Sequence, residues 1–272
     1  MNHLRRDLAP ISSTAWAAID EEIRRALPTF LNARRLVDFS GPHGWACSSV
    51  DLGRTDAVQE LPGGVQLARR QSLPLFEIQR EFAVELHEID AIDRGAKAVD
   101  LDAALSAARA IARAEDDVVF NGIASSPGSG IMVSAAHHAL SLEGDSAQVP
   151  GSVAAAMSAM RDRGVGGPYG VALGVDCYEG VMARTDDGYP VLEHLRLVLD
   201  GGPIVSVPVL QGALVVSLRG GDFELVVGED FSVGYRGHSE TSVRFVLEET
   251  MVFRVNGPDA AVPLRLHDAP GR

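Results

Sequence analysis

Residues 242–255 read SVRFVLEETMVFRV, a run rich in Val and Phe with no glycine, proline or asparagine to break it. Such residues fit a pleated, half-buried surface, so the run predicts one strand. Its 14 residues are more than twice the usual ~5–6. A strand that long predicts partners beyond a small domain's own sheet, because an unpaired edge leaves a row of backbone donors and acceptors open to other chains.

Bulk properties narrow the choice. With 272 residues, 46% of them hydrophobic, the chain buries a sizeable core as one elaborate domain or two modest ones. A net charge of −13 argues against nucleic acid or anionic membrane as a partner, since those are bound by neutralising phosphates. Lys97 is the only lysine, which removes phosphate-loop and Schiff-base chemistry from every other position. Cys47 and Cys177 lie far apart with no CxxC, the pattern of two reduced thiols in a cytoplasmic protein. No signal peptide follows MNHLRRDLAPISS, and no segment approaches the ~18 apolar residues of a membrane span.

Along the chain, Ser12 and Ser13 are candidate caps for a helix whose Trp16, Ile19, Ile23 and Leu27 form an amphipathic stripe, with Pro28 expected to end or kink it. Residues 40–75 read as an arm of short strands with a hairpin tip at LPGGVQ. SLPLFEIQREFAVELHEI alternates as a strand, with Phe76, Ile78, Phe82, Val84 and Leu86 on its apolar positions. A long helix is expected from an Asp100 cap to a Gly122 stop, with Leu101, Leu105, Ala108, Ile111 and Val118 on one face. The second half reads as a compact unit: a helix over 152–163, a buried strand YGVALG, helices CYEGVMA and VLEHLRLVL, then strands IVSVPVL, ALVVSLRG and FELVVG. Gly220-Gly221 is expected to join the last two as a hairpin.

No enzyme can be assembled from these residues. Ser129 in PGSG lacks the strand and helix of a nucleophile elbow, and Tyr169 breaks the glycine spacing of a dinucleotide loop at Gly164. His137-His138 reads as a solvated loop pair without co-ligands, and His87 and His194 as members of ordinary surface ion pairs. What remains is a chain of unfinished parts, economical when copies complete one another in a closed symmetric assembly.

The stretches RDLAPIS (6–12), RRLVDFSGPHGW (34–45), SLPLFEIQREFAVELHEID (72–90), EDDVVFNGI (115–123), GPYGVALG (167–174), GYPVLEHLRLVLDGG (188–202), SLRGGDFELVVGEDFSVGYRGHS (217–239) and VRFVLEETMVFRV (243–255) resemble the encapsulin shell protein family. The resemblance runs to about Leu266. It implies the α+β, HK97-like fold of tailed-phage capsid proteins: an N-terminal helix and arm (1–45), an E-loop (46–75), a P-domain (76–125 with 226–266), an A-domain (126–225) and a C-terminal tail (267–272). It implies a closed homo-oligomeric shell in the bacterial cytoplasm, sixty copies in its smallest form; the residues themselves offer no catalytic group and no cofactor or metal motif. The partner it implies is a cargo enzyme carrying a C-terminal targeting peptide, a dye-decolorizing peroxidase or a ferritin-like protein.

Two sites follow from the same resemblance. RTDDGYP, from Arg184 through Thr185, Asp186, Asp187, Gly188 and Tyr189 to Pro190, matches the loop that meets its copies at the fivefold axis, where carboxylates favour cations, Gly188 lends flexibility and Tyr189 narrows the opening. Leu27, Phe30, Arg34, Asp38, Phe231 and Tyr235 are the candidates for the groove that receives the cargo peptide. The alternatives are a virion capsid protein, expected to carry a scaffolding or cleavable N-terminal region, and a hydrolase using Asp186, Asp187 and a histidine.

Overall fold

A computed structural model describes residues 3–123, 130–142 and 145–266; Ser129 and the expected tail 267–272 lie outside them. In chain order, α1 (Ser13–Phe30) is followed by β1 (Asp38–Ser40), then β2 (Ser49–Thr55), β3 (Gln59–Leu61), β4 (Val65–Leu67) and β5 (Arg70–Pro74). Next come β6 (Phe76–Glu85), α2 (Leu86–Asp93), α3 (Asp102–Phe120), α4 (Ile131–Ser134) and β7 (Leu140–Leu142). The second half holds α5 (Val149–Asp162), β8 (Tyr169–Leu173), α6 (Val175–Ala183), β9 (Thr185–Asp186), β10 (Tyr189–Pro190) and α7 (Val191–Val198). It closes with β11 (Ile204–Ser206), β12 (Ala213–Ser217), β13 (Phe223–Val227), β14 (Ser232–His238), β15 (Ser242–Val255) and β16 (Ala261–Leu266).

The 14-residue strand is present as β15, and the chain's own strands pair with it along most of its length. β6 pairs with Ser242–Met251 along one edge, while β14 takes Val243–Glu248 and β13 takes Met251–Val255. Met251 thus faces Val227 on one side and Phe76 on the other. The expectation of partners from outside the domain is corrected: length is met by placing β15 at the centre of its own sheet, with β1 extending that sheet beyond β13. Helices α1, α2 and α3 pack against it through Trp16, Ile19, Ile89, Ile111, Phe82, Phe245 and Leu247.

A second sheet has the order β11-β8-β12-β16-β7. β8 is buried at all five positions, as is β12. A larger core surrounds this sheet, with Met160, Leu173, Leu195 and Leu214 fully enclosed, and it reaches Phe120 of α3 and Phe253 of β15. The 220–221 glycines do not make a hairpin. β12 pairs with β8 and β16, whereas β13 pairs with β1 and β15, so the two glycines carry the chain from one sheet to the other. Both have φ of 84°, a conformation open to glycine. β16 likewise belongs to the second sheet rather than with residues 226–260, and the expected boundary at 225/226 cuts through β13.

Several boundaries move by a turn. α1 continues through Pro28 to Phe30: proline forfeits the one bond its N–H would have made to Arg24 O, and beyond it Leu31 still donates to Leu27 O at 3.0 Å. Leu86 opens α2 rather than ending a strand, and α5 begins at Val149. Asp100 sits one residue ahead of the cap position of α3, yet its Oδ1 accepts from Asp102 N at 3.0 Å. The arm from β2 to β5 is two small hairpin ladders whose residues are mostly exposed, turned at Gly63 and Gly64. Cys47 and Cys177 are free, and burial pushes the Cys177 thiol up to about 11.

Candidate functional site

A cleft of about 430 Å³ opens between the C-terminal half of α1 and the segment leading into β14. Ser12 starts the helix by accepting from Ala15 N at 3.0 Å, and the stripe Trp16, Ile19, Ile23, Leu27 buries itself against the sheet. The edge of that stripe, with Ile23, Leu27 and Leu31, forms the apolar wall; Phe231 and Val233 face it. At the Asp20 end, Arg6 clamps both Asp20 oxygens at 2.7 Å, donates from Nε to Val233 O at 2.8 Å and covers the Trp16 ring. A fork held on both tines this way is geometrically fixed.

The Leu31 end is built on Arg34. Its guanidinium lies between the rings of Phe39 and Phe231, 4.8 and 4.9 Å from their centroids. It donates to Glu115 at 2.7 and 2.9 Å, to Asp230 at 2.9 Å and to Glu249 at 2.7 Å. Burial alone would lower the Arg34 pKa, but its bonds and charges with Glu115, Asp230 and Glu249 outweigh this and hold it above the ordinary value. Glu115 and Glu249 are fully buried, and burial raises both carboxyls. The Glu115 charge pushes Glu249 further, well above the usual carboxylate range. The second oxygen of Glu249 has no hydrogen-bond partner among the described residues, an arrangement a neutral carboxyl tolerates better than a charged one. Next along α3, burial pushes Asp116 up to about 6, although it accepts from Ala33 N at 2.8 Å and from the Asn32 amide at 2.9 Å.

Of the six groove candidates, Leu27, Arg34 and Phe231 line the cleft. The other three do not. Phe30 turns toward α3, its ring 5.2 Å from the Arg109 guanidinium. Asp38 accepts from Gly221 N and borders a separate small cavity with Arg35 and Ser217. Tyr235 pairs with His238 and donates its backbone N–H to Leu4 O, beyond the cleft. The rest of the lining, which the sequence did not single out for the groove, is Arg6, Asp20, Ile23, Arg24, Pro28, Leu31, Asp230, Ser232 and Val233. Ile23 and Leu31 were within reach of the helical stripe, and Val233 of strand alternation from Phe231; the Arg6–Asp20 clamp left no local signal.

RTDDGYP forms a tight exposed hairpin. Asp186 pairs with Tyr189 and Thr185 with Pro190 across β9 and β10. Asp187 and Gly188 have φ of 46° and 83°, so both central residues meet the positive-φ demand of a two-residue hairpin turn. Gly188 therefore serves a fixed turn rather than a flexible link. Arg184 pairs with Asp145 at 3.2 Å instead of with the tip carboxylates, and Tyr189 is 50% exposed.

The histidine pair also departs from expectation. The His137 and His138 ring centroids lie 3.9 Å apart, tilted by 45°, at the end of a 3₁₀ turn, and Asp259 joins them as a co-ligand candidate. His87, as expected, forms an exposed ion pair with Glu88 at 3.2 Å.

A family described as "Encapsulating protein for peroxidase" matches residues 1–252. The type 1 encapsulin shell protein of Rhodospirillum rubrum is 49% identical over 272 residues, covering 97% of this chain and 97% of its own. Among solved structures, the virus-like particle from Pyrococcus furiosus is similar over 93% of this chain and 98% of its own, with a TM-score of 0.62 and 18% identity. The capsid of Myoviridae phage XM1 is similar over 86% and 91%, with a TM-score of 0.54 and 11% identity. At these identities the structures speak to the fold alone, which is the HK97-like capsid fold. The relatives it matches across nearly the whole chain are named as shell proteins, a structural rather than a catalytic class. The chain belongs to the encapsulin shell protein family.

Proposed function

We propose that this shell subunit assembles into a closed icosahedral particle, of sixty copies in its smallest form, and holds a cargo enzyme on its inner surface through the cleft between α1 and β14. One observation carries the reading: the cleft is an open trough with one apolar wall of Ile23, Leu27 and Leu31, bounded by two arginine–carboxylate pairs. An extended tail would lay aliphatic side chains against Ile23, Leu27 and Leu31 and meet the polar ends with its backbone. The matching family is described by a peroxidase, which favours a dye-decolorizing peroxidase as cargo over a ferritin-like protein. The net charge of −13 favours a protein over nucleic acid inside the particle, and thus a cytoplasmic compartment over a virion.

Loading of a fluorescent reporter fused to the C-terminal segment of the partner peroxidase tests the groove. Ser232→Trp, which fills the cleft, and Phe231→Ala, which removes one wall, are each expected to weaken binding by about 2 kcal/mol, roughly thirtyfold. Asp38→Ala and Tyr235→Ala are expected to load normally. Full loading in both cleft variants would place the binding site elsewhere.

A second reading concerns the β9–β10 hairpin, whose tip carboxylates are exposed and unpaired with Arg184. Repeated around a symmetry axis, Asp186 and Asp187 would draw cations and repel anions. Asp186→Asn with Asp187→Asn is expected to speed turnover of anionic substrates by enclosed enzyme, Asn being tolerated at the positive φ of position 187. Equal rates in both shells would remove the idea.

A further inference from the structure

His137 and His138 close the 3₁₀ turn Ala136–His138, and Asp259 lies in the turn Pro258–Ala260 that leads into β16. Neighbouring side chains on a regular element diverge, but here the turn ends at His138 and lets the two imidazoles lie together, tilted by 45°. His138 Nε2 is 2.7 Å from Asp259 Oδ1. One ligand atom from each of the three residues lies within 4.8 Å of the others. In a tetrahedral zinc site, with bonds of ~2.0–2.1 Å, such atoms sit about 3.3 Å apart. Rotation of His137 and Asp259, both exposed, spans the difference.

Apart from the His138 bond, which a bound ion would replace, the carboxylate makes no side-chain hydrogen bond among the described residues. Arg163 also reaches Asp259, but its Nη2 donates to the backbone carbonyl at 3.2 Å, not to the side chain. His138 is half-buried and anchored, while the two exposed partners give a cation access from solvent and leave a coordination position for water. Two imidazoles and one carboxylate select borderline-soft first-row ions over Mg²⁺ or Ca²⁺, which require mostly oxygen.

We infer that His137, His138 and Asp259 form a site for one divalent transition-metal ion per subunit, of the Zn²⁺ or Co²⁺ class, bridging the turn before β7 and the turn before β16. The site is separate from the cleft and from the β9–β10 hairpin. In an assembled shell it recurs in every subunit, so the particle carries a metal inventory set by its copy number.

Titration calorimetry of tag-free, chelator-washed assembled protein with Zn²⁺, alongside visible spectra with Co²⁺, decides the matter. One equivalent per chain is expected, with the strong ligand-field absorption of low-coordinate Co²⁺. His137→Ala, an exposed change that spares folding, and Asp259→Asn are each expected to weaken binding at least tenfold, since even supporting residues of metal sites cost that much. Binding that survives His137→Ala unchanged, or well below one equivalent in the wild type, overturns the site. So does a wild type that binds no metal while Asp259→Asn lowers thermal stability, because the His138–Asp259 pair would then be a clamp between turns only.

Discussion

Arg34→Ala is expected to destabilise the subunit by about 3–5 kcal/mol, the cost of removing one partner from a buried ion cluster. The guanidinium holds Glu115 and Glu249, both at 0% exposure, and Asp230 at the rim. Without it the two inner carboxyls have no cation and must bind protons to stay buried. Their folded-state pKa values, already raised by burial, then rise further. The sign follows: a carboxyl whose folded pKa exceeds its unfolded value near ~4.3 loses stability as pH climbs through that interval. The deficit of the variant is therefore larger at pH 8 than at pH 5. Urea unfolding at both pH values and matched protein concentration checks this, assembly being part of apparent stability. A loss under about 1 kcal/mol, or one independent of pH, would contradict the role given to Arg34. Arg34 also lines the cleft, so its removal confounds folding with cargo capture and makes it a poor probe of binding.

Phe245→Ala carries an expected loss of similar size, about 3–5 kcal/mol, by a different route. The ring is fully buried on β15, edge-on to Trp16 of α1 and stacked on Phe82 of β6, with centroids 5.3 Å away in both cases. Truncation leaves a cavity that three rigid elements cannot close, and it loosens the seat of α1. Because α1 supplies one wall of the cleft, reporter loading is expected to fall along with thermal stability. Phe245→Leu, which keeps most of the apolar contact, should lose less of both. Unchanged loading in a clearly destabilised Phe245→Ala shell would show that the seat of α1 and the cleft are independent.

The legible parts of this protein were those written in local periodicity. The β15 run, the α1 stripe, the hairpin at Gly63-Gly64 and the buried β8 all follow from residue spacing within one element. Which element pairs with which was not legible in that way. Gly220-Gly221 looks like a hairpin in sequence, yet it separates two sheets because β13 finds a better partner 30 residues later in β15. The buried acids left a signal in helical spacing. On α3 the enclosed positions run 104, 107, 108, 111, 112, 115, 116, 119 and 120, and Glu115 and Asp116 occupy that apolar stripe. Carboxylates on the buried face of a helix demand a cation or backbone donors, and Arg34, Ala33 and Asn32 supply them from more than 80 residues away. His138 and Asp259 meet across 121 positions, which no spacing rule on either segment could reveal.

Everything proposed for the cleft and the hairpin presumes that copies of the chain enclose a volume. Native mass measurement of the purified protein in mild buffer, paired with electron microscopy of the same sample, tests this most directly. The expected result is a single hollow spherical species whose mass is a large fixed multiple of the 28.8 kDa chain, near sixtyfold for the smallest shell. A stable 28.8 kDa monomer with no closed particles would contradict it.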